Sequence, residues 1–247
     1  MNDRKRLFYD IETSPLQVFT WQLGEVHIDY KSIIEDRAII CICWKWAGRG
    51  RVESLTWDKK QNDKAMLKEF ISVLDSADES CGHNSDRFDL PWIRGRALYH
   101  DIPMQPDYAT IDTLKLARKQ FKLPSNRLDA LGRQLLDDKK LPTGFGLWRD
   151  IVLYNDEKAL KKMVAYCKQD VRLLERLFDK IMPYCAPSKV SVARFARDCP
   201  ECASSRTQLN GILRTMSSVK QRIRCMDCGK SWAIAKSKAD KNAERAA

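Results

Sequence analysis

The stretch "LFYDIETSP" (7–15) alternates: Phe8, Asp10 and Glu12 fall on one face of a strand, and Leu7, Tyr9 and Ile11 on the other. "RAIICICWKWAG" (37–48) is apolar enough for a buried strand, and "GRGRVESLTW" reads as a turn into a more alternating one. Together they predict an antiparallel meander. The period then changes to a helical one at Met66, Leu67, Phe70, Ile71 and Leu74, with Asn62 or Asp63 as the cap. "ESCGHN" gives a short strand and turn. A helix starts near Asp89, because Pro91 fits only a first turn, and runs through Ile93 to Tyr99. "TIDTLKLARKQF" is a short strand entering a helix, and Ser125 or Asn126 caps the next, which carries Leu128, Leu131 and Leu135. "DDKKLPTGFGLWRD" (137–150), with its glycines, proline and paired lysines, reads as an exposed loop. From Glu157 to Met182 the apolar stripe Leu160, Met163, Val164, Cys167, Val171, Leu174, Phe178 and Ile181 predicts one long helix. Strands first and helices interleaved later give an α/β domain without repeats.

That domain is expected over residues 1–187, ending in the linker "PYCAPSK" (183–189). A small cysteine-bearing module follows over 188–234, then a basic polar tail over 235–247, expected to be disordered. At 247 residues and 44% hydrophobic content the chain can bury a sizeable core. No apolar run approaches the roughly 18 to 20 residues that span a bilayer, and "MNDRKRLFYD" lacks the apolar centre of a signal peptide. The expectation is a cytoplasmic protein with no membrane partner. Charge sharpens this picture. The net charge is +11, and residues 188–247 hold thirteen Lys and Arg against five acids, so +8 lies in the last quarter of the chain and only +3 in the rest. A basic appendage on a nearly neutral body suits a polyanionic partner, most simply nucleic acid.

Asp10 and Glu12 repel each other on one strand face, so either the strand end stands in water or a cation sits between them. Two further acids favour the cation. "GHNSDRFDLP" sets Asp89 at a helix start behind an aromatic, and "YCKQD" sets Tyr166 and Asp170 on one helical face at the edge of the buried stripe. Magnesium takes oxygen ligands, and two such ions roughly 4 Å apart can clamp the attacking and leaving oxygens of a phosphoryl transfer.

Asp-x-Glu, then Asn-x3-Phe-Asp, then Tyr-x3-Asp, in this order from Asp10 to Asp170, resembles the DEDD (DnaQ-like) 3'-5' exonucleases of the RNase H-like superfamily. The Asn-x3-Phe-Asp spacing with its following Leu-Pro most resembles the proofreading domain of family B DNA polymerases. The histidine branch of that family would have His at position 165, which is alanine here; the tyrosine branch wants Tyr at 166, as found. The resemblance implies an RNase H-like mixed sheet flanked by helices and a two-metal hydrolysis with Mg2+ or Mn2+. Asp10, Glu12 and Asp170 would hold the first ion, Asp10 would bridge to the second, Asp89 would support the second, and Tyr166 would orient the attacking water. It also implies that Thr13, Leu16, Asn84 and Phe88 shape the pocket of the 3'-terminal nucleotide, although Leu16 equally suits the core and Asn84 and Phe88 equally suit the turn before Asp89. His83 reads as a turn histidine, Asp112 as a helix cap or supporting acid, and Asp137 and Asp138 as solvated charge.

"CPEC" (199–202) and "CMDC" (225–228) give Cys-x2-Cys, twenty-two residues, then Cys-x2-Cys. Cys199, Cys202, Cys225 and Cys228 can close a tetrahedral structural Zn2+ site, and a module this small needs such a staple. "RIRCMDCGKSW" resembles the second half of a zinc ribbon, with Gly229 in a tight turn and Trp232 on a returning strand. Arg222, Arg224 and Lys230, with Arg214 and Lys220, could track phosphates; a docking ribbon for replication or repair proteins is the other reading. The expected activity is a 3'-5' exonuclease on single-stranded DNA. An exoribonuclease on the same core and a non-catalytic nucleic-acid-binding module are the alternatives.

Overall fold

The computed structural model describes residues 4–138, 144–186 and 190–235. It divides into a larger compact unit, Lys5–Arg118 with Lys122–Leu177, and a smaller one formed by the remaining described residues. The expected tail beyond Ala235 and the end of the expected linker, 187–189, lie outside the described residues.

The larger unit is built on a mixed five-stranded sheet. Strand β1 (Arg6–Thr13) is flanked by β4 (Ile39–Trp46) and β6 (Glu79–Gly82); β5 (Glu53–Thr56) and β7 (Thr110–Asp112) form the edges, in the order β5-β4-β1-β6-β7. The β1, β4 and β5 pairings are antiparallel, as the meander predicts, and β6 and β7 join in parallel. A separate two-stranded piece, β2 (Gln17–Val18) with β3 (Ile33–Glu35), was not foreseen.

Register gives the sheet two chemically different faces. Tyr9 opposes Trp44 and Ile11 opposes Ile42; these side chains pack with Leu67, Phe70, Ile71 and Leu74 of α1 (Lys64–Asp75) and Leu90, Ile93 and Ala97 of α2 (Asp89–Tyr99). The Phe70 ring lies 5.6 Å from those of both Tyr9 and Trp44. Burying each such side chain contributes about 1.5–3 kcal/mol. On the opposite face Phe8 opposes Lys45, Asp10 opposes Cys43 and Glu12 opposes Cys41. This face meets α6 (Glu157–Ile181): Lys45 pairs with Glu175, and the Cys43 thiol approaches the Val164 carbonyl.

Asp63 flanks the start of α1, but its carboxylate does not cap the helix. It accepts from the Ile39 N–H at 2.9 Å and from Nε and Nη2 of Arg96, both at 2.8 Å, and His100 Nε2 lies 2.6 Å away. Asn62 Oδ1 takes the Lys64 N–H instead, at 2.9 Å. Helix α3 (Thr113–Gln120) follows β7 as expected. Helix α4 (Leu128–Leu136) is flanked by Arg127 rather than by Ser125 or Asn126; Ser125 Oγ accepts from the Arg127 N–H, forming a turn ahead of the helix. The expected loop over 137–150 needs a larger correction. Helix α5 (Phe145–Tyr154) begins within it, flanked by Gly144 in an extended conformation and held by buried Ile151 and Val152. The glycines that suggested a loop mark its start.

In the smaller unit β8 (Thr207–Arg214), β9 (Val219–Cys225) and β10 (Ser231–Ala235) form an antiparallel sheet in the order β10-β9-β8. Arg4 joins this unit through an ion pair with Glu201 and a hydrogen bond to the Pro200 carbonyl at 2.6 Å.

Candidate active site

Strand β1 presents Asp10 and Glu12 from the same face, and α6 brings Asp170 over them. A carboxylate oxygen from each lies within 4.8 Å of the others. Asp170 is buried, whereas Asp10 and Glu12 are half-buried at the strand end. Burial holds the carboxyl of Asp10 well above its ordinary range, and the charges of Asp89, Glu12 and Asp170 push it further; a hydrogen bond with Cys167 acts the other way. Three oxygen donors whose mutual repulsion a cation would relieve fit a hard divalent ion. Tyr166 stands one turn before Asp170 on α6 and is half-exposed.

Asp89 is not one of the three clustered carboxylates. It opens α2, is buried, and accepts from the Ile11 N–H at 3.1 Å. Strand β6 pairs with β1 only as far as Phe8 and Cys81, so Asp89 meets a backbone donor beyond the end of that ladder. Burial raises its carboxyl to about 7, with the charge of Asp112 adding to the rise and its own and Ile11's backbone N–H groups opposing it.

The turn leading to Asp89 is fixed from both ends. A Cβ on Gly82 would fall 2.3 Å from the Cβ of Ser85, so only glycine fits there. Asn84 adopts a left-handed φ of 70° and donates its N–H to Asp112 Oδ1 at 3.0 Å. The same oxygen accepts from the N–H groups of Leu114 and Lys115, so Asp112 is the helix cap the sequence suggested. His83 has Nδ1 2.9 Å from Thr113 Oγ1 and Nε2 3.0 Å from the Asn126 carbonyl, a satisfied turn histidine. Phe88 is exposed and its ring lies 6.4 Å from Trp92; Thr13 and Leu16 are half-buried beyond Glu12. Trp148 of α5 donates from Nε1 to the Thr13 carbonyl at 3.1 Å. Sequence reasoning missed this link because it placed Trp148 in a loop.

Residues 7–182 match the RNase H superfamily. The chain belongs to that superfamily. In an alignment 157 residues long that covers 49% of this chain, it is 25% identical to the DNA polymerase delta catalytic subunit of Caenorhabditis elegans, of which it covers 14%. The family B DNA polymerase from the hyperthermophilic archaeon Pyrobaculum calidifontis has a similar fold, with a TM-score of 0.53 and 19% identity over 73% of this chain. The match covers 25% of that polymerase, so this RNase H superfamily chain spans a quarter or less of either relative.

The smaller unit gathers Cys199, Cys202, Cys225 and Cys228, with the four sulfurs within 4.8 Å of one another. Cys199 and Cys228 are 3.5 Å apart and Cys202 and Cys225 3.7 Å. Thiolates on one tetrahedral zinc, with bonds of about 2.3 Å, stand about 3.8 Å apart, so this set fits Zn2+. Gly229, at φ 73°, makes the turn after the second pair, and Trp232 opposes Ile223 on the returning strand. On β9, Arg222 and Arg224 are exposed on the face opposite buried Ile223 and Cys225. Lys230 is a correction. It is only 2% exposed, and its Nζ donates to the carbonyls of Met182 and Cys185, so its charge is spent inside the unit and not on a phosphate-facing strip. Cys41, Cys43 and Cys167 form a third cluster. Among the described residues no helix is long and apolar enough to cross a membrane.

Proposed function

We propose that this chain is a divalent-metal-dependent 3'-5' exonuclease of the tyrosine type that shortens single-stranded DNA from its 3' end. The observation that carries the reading is the convergence of Asp10, Glu12 and Asp170 within 4.8 Å, with Asp89 held against the same strand. The likeness to two DNA polymerases supports DNA over RNA as the substrate. In this reading Asp10, Glu12 and Asp170 hold Mg2+ or Mn2+, and Asp89 serves a second ion. Such ions polarise the scissile phosphate and acidify water. The chain's own groups do the positioning: Tyr166 orients the attacking water from one turn before Asp170, and Asn84 and Phe88 flank Asp89 where a terminal nucleotide would lie, together with Thr13 and Leu16. The four-cysteine cluster holds one structural Zn2+, and Arg222 and Arg224 add phosphate affinity without sequence preference.

The test is digestion of 5'-labelled single-stranded DNA and matched RNA, each with a free or blocked 3' end, in Mg2+ and in Mn2+. The expected result is a ladder shortening from the free 3' end of DNA, lost in Asp10→Ala. Faster loss of RNA would make the enzyme an exoribonuclease. Binding without cleavage of either polymer would leave a nucleic-acid-binding module.

A further inference from the structure

The nuclease reading leaves three buried thiols unused. Cys41 and Cys43 lie two apart on β4 and so share a face, the one that opposes Glu12 and Asp10 across the ladder. Helix α6 adds Cys167 from above, and the three sulfurs lie within 4.8 Å of one another. All three thiols are buried and none is in a disulfide. A fourth donor stands against one of them: Cys167 Sγ is 3.5 Å from Asp10 Oδ2. With bonds of about 2.3 Å to sulfur and about 2.1 Å to a carboxylate oxygen, neighbouring sulfur and oxygen ligands on a tetrahedral zinc are about 3.6 Å apart. Asp10 and Cys167 are therefore already spaced as two ligands of one ion.

We propose that Cys41, Cys43 and Cys167, with the carboxylate of Asp10, form a second thiophilic metal site, and that a Zn2+ bound there shuts the acidic centre by claiming Asp10. Soft thiolates select zinc or cadmium over magnesium, whereas Glu12 and Asp170 offer only oxygen, so the two sites discriminate between ions and compete for one shared residue. Filling the site breaks the S–H bonds of its protonated thiols; each sulfur keeps the electron pair for the metal and each proton leaves to solvent. Lys168 and Arg172 on α6 act electrostatically on Cys43 and offset part of the anionic charge that three thiolates bring. The site itself stands on geometry alone, while its effect on hydrolysis rests on the proposed function.

Cadmium NMR of the reduced full-length chain, in excess Mg2+, tests the site without any activity. The expected spectrum has two resonances, one in the four-sulfur range for the C-terminal cluster and one in the range of three sulfurs and an oxygen, with the second lost in Cys43→Ala. A wild-type spectrum at saturating cadmium with only the four-sulfur resonance would overturn the proposal, as would a second resonance that survives Cys43→Ala. The wild-type spectrum decides even if that variant does not fold. For the consequence, zinc added beyond the first equivalent should stop Mg2+-supported hydrolysis in the wild type, and Cys43→Ala should raise the half-inhibiting zinc concentration at least tenfold against its own zinc-free rate. Unchanged sensitivity would sink the inhibitory role. A protein that shows the second resonance but hydrolyses nothing in any metal would retire the nuclease reading and leave the metal site in place.

Discussion

Asp10 faces two demands that conflict unless a cation is present. It lies half-buried among Glu12, Asp89 and Asp170, where ionisation is unfavourable, yet ionised oxygens are what a divalent ion requires. Binding of Mg2+ or Mn2+ should therefore stabilise the fold. At a hundredfold excess over its dissociation constant a ligand adds about 2.7 kcal/mol, and in a chain of this size each kcal/mol raises Tm by roughly 2–4 °C. Thermal unfolding with and without Mn2+ should show a rise of that order in the wild type and none in Asp10→Asn. These residues were legible in the sequence because their spacing is local: Asp10 and Glu12 two apart on a strand, Tyr166 and Asp170 four apart on a helix. Lys230 was not, because the carbonyls that bury its charge belong to Met182 and Cys185, more than forty residues upstream.

Among the elements, Asp63 joins three that the sequence presents as independent. Its carboxylate ties the start of β4 at Ile39 to Arg96 on α2 and to His100 at the end of that helix, from a position beside α1. Burial alone would raise its pKa, but the hydrogen bonds from Arg96, the Ile39 N–H and His100 together hold it below the ordinary carboxylate value. A lowered folded pKa means that this contribution is present above the ordinary value and is lost as pH falls through the lower one. Asp63→Asn should cost about 3–5 kcal/mol at neutral pH by leaving Arg96 without its anion, and should flatten the loss of stability between pH 7 and pH 3. Urea unfolding of both proteins at the two pH values measures this. Nothing in the local pattern around Asp63 distinguishes it from an ordinary helix cap. Helix α2, by contrast, was placed by Pro91 alone, and α5 was hidden by Gly144 and Gly146, which punctuate a loop and a helix start alike.

At the scale of the molecule the α/β class and the antiparallel meander followed from the order of strand-like and helix-like patterns and the mixed sheet from the family resemblance, while the β2–β3 piece carried no pattern long enough to register. The concentration of positive charge in the last quarter of the chain was legible by counting, and the structure selects which cations can meet a polyanion. Arg222 and Arg224 are exposed on β9, and Lys230 is withdrawn. Each phosphate contact on a single strand adds about 0.7 to the slope of log affinity against log salt. Replacing Arg222 and Arg224 together by alanine should lower that slope by roughly 1.4 and weaken binding equally across DNA sequences, as fluorescence anisotropy over a salt series would reveal.

The position of β1 in the sheet also governs when the acidic centre can exist during synthesis. Strand β1 sits in the middle of the sheet, between β4 and β6, and Asp10 is 157 residues from Cys167, its contact on α6. A ribosome adding roughly 5–20 residues per second needs on the order of ten seconds to make that interval. Until α6 has emerged, Asp10 and Glu12 have no Asp170 above them, and the nascent chain carries only scattered acids. In the nuclease reading proposed above, hydrolytic competence would then arrive in one late step, when the long helix docks, so that a ribosome-bound fragment would pose no hazard to nearby nucleic acid.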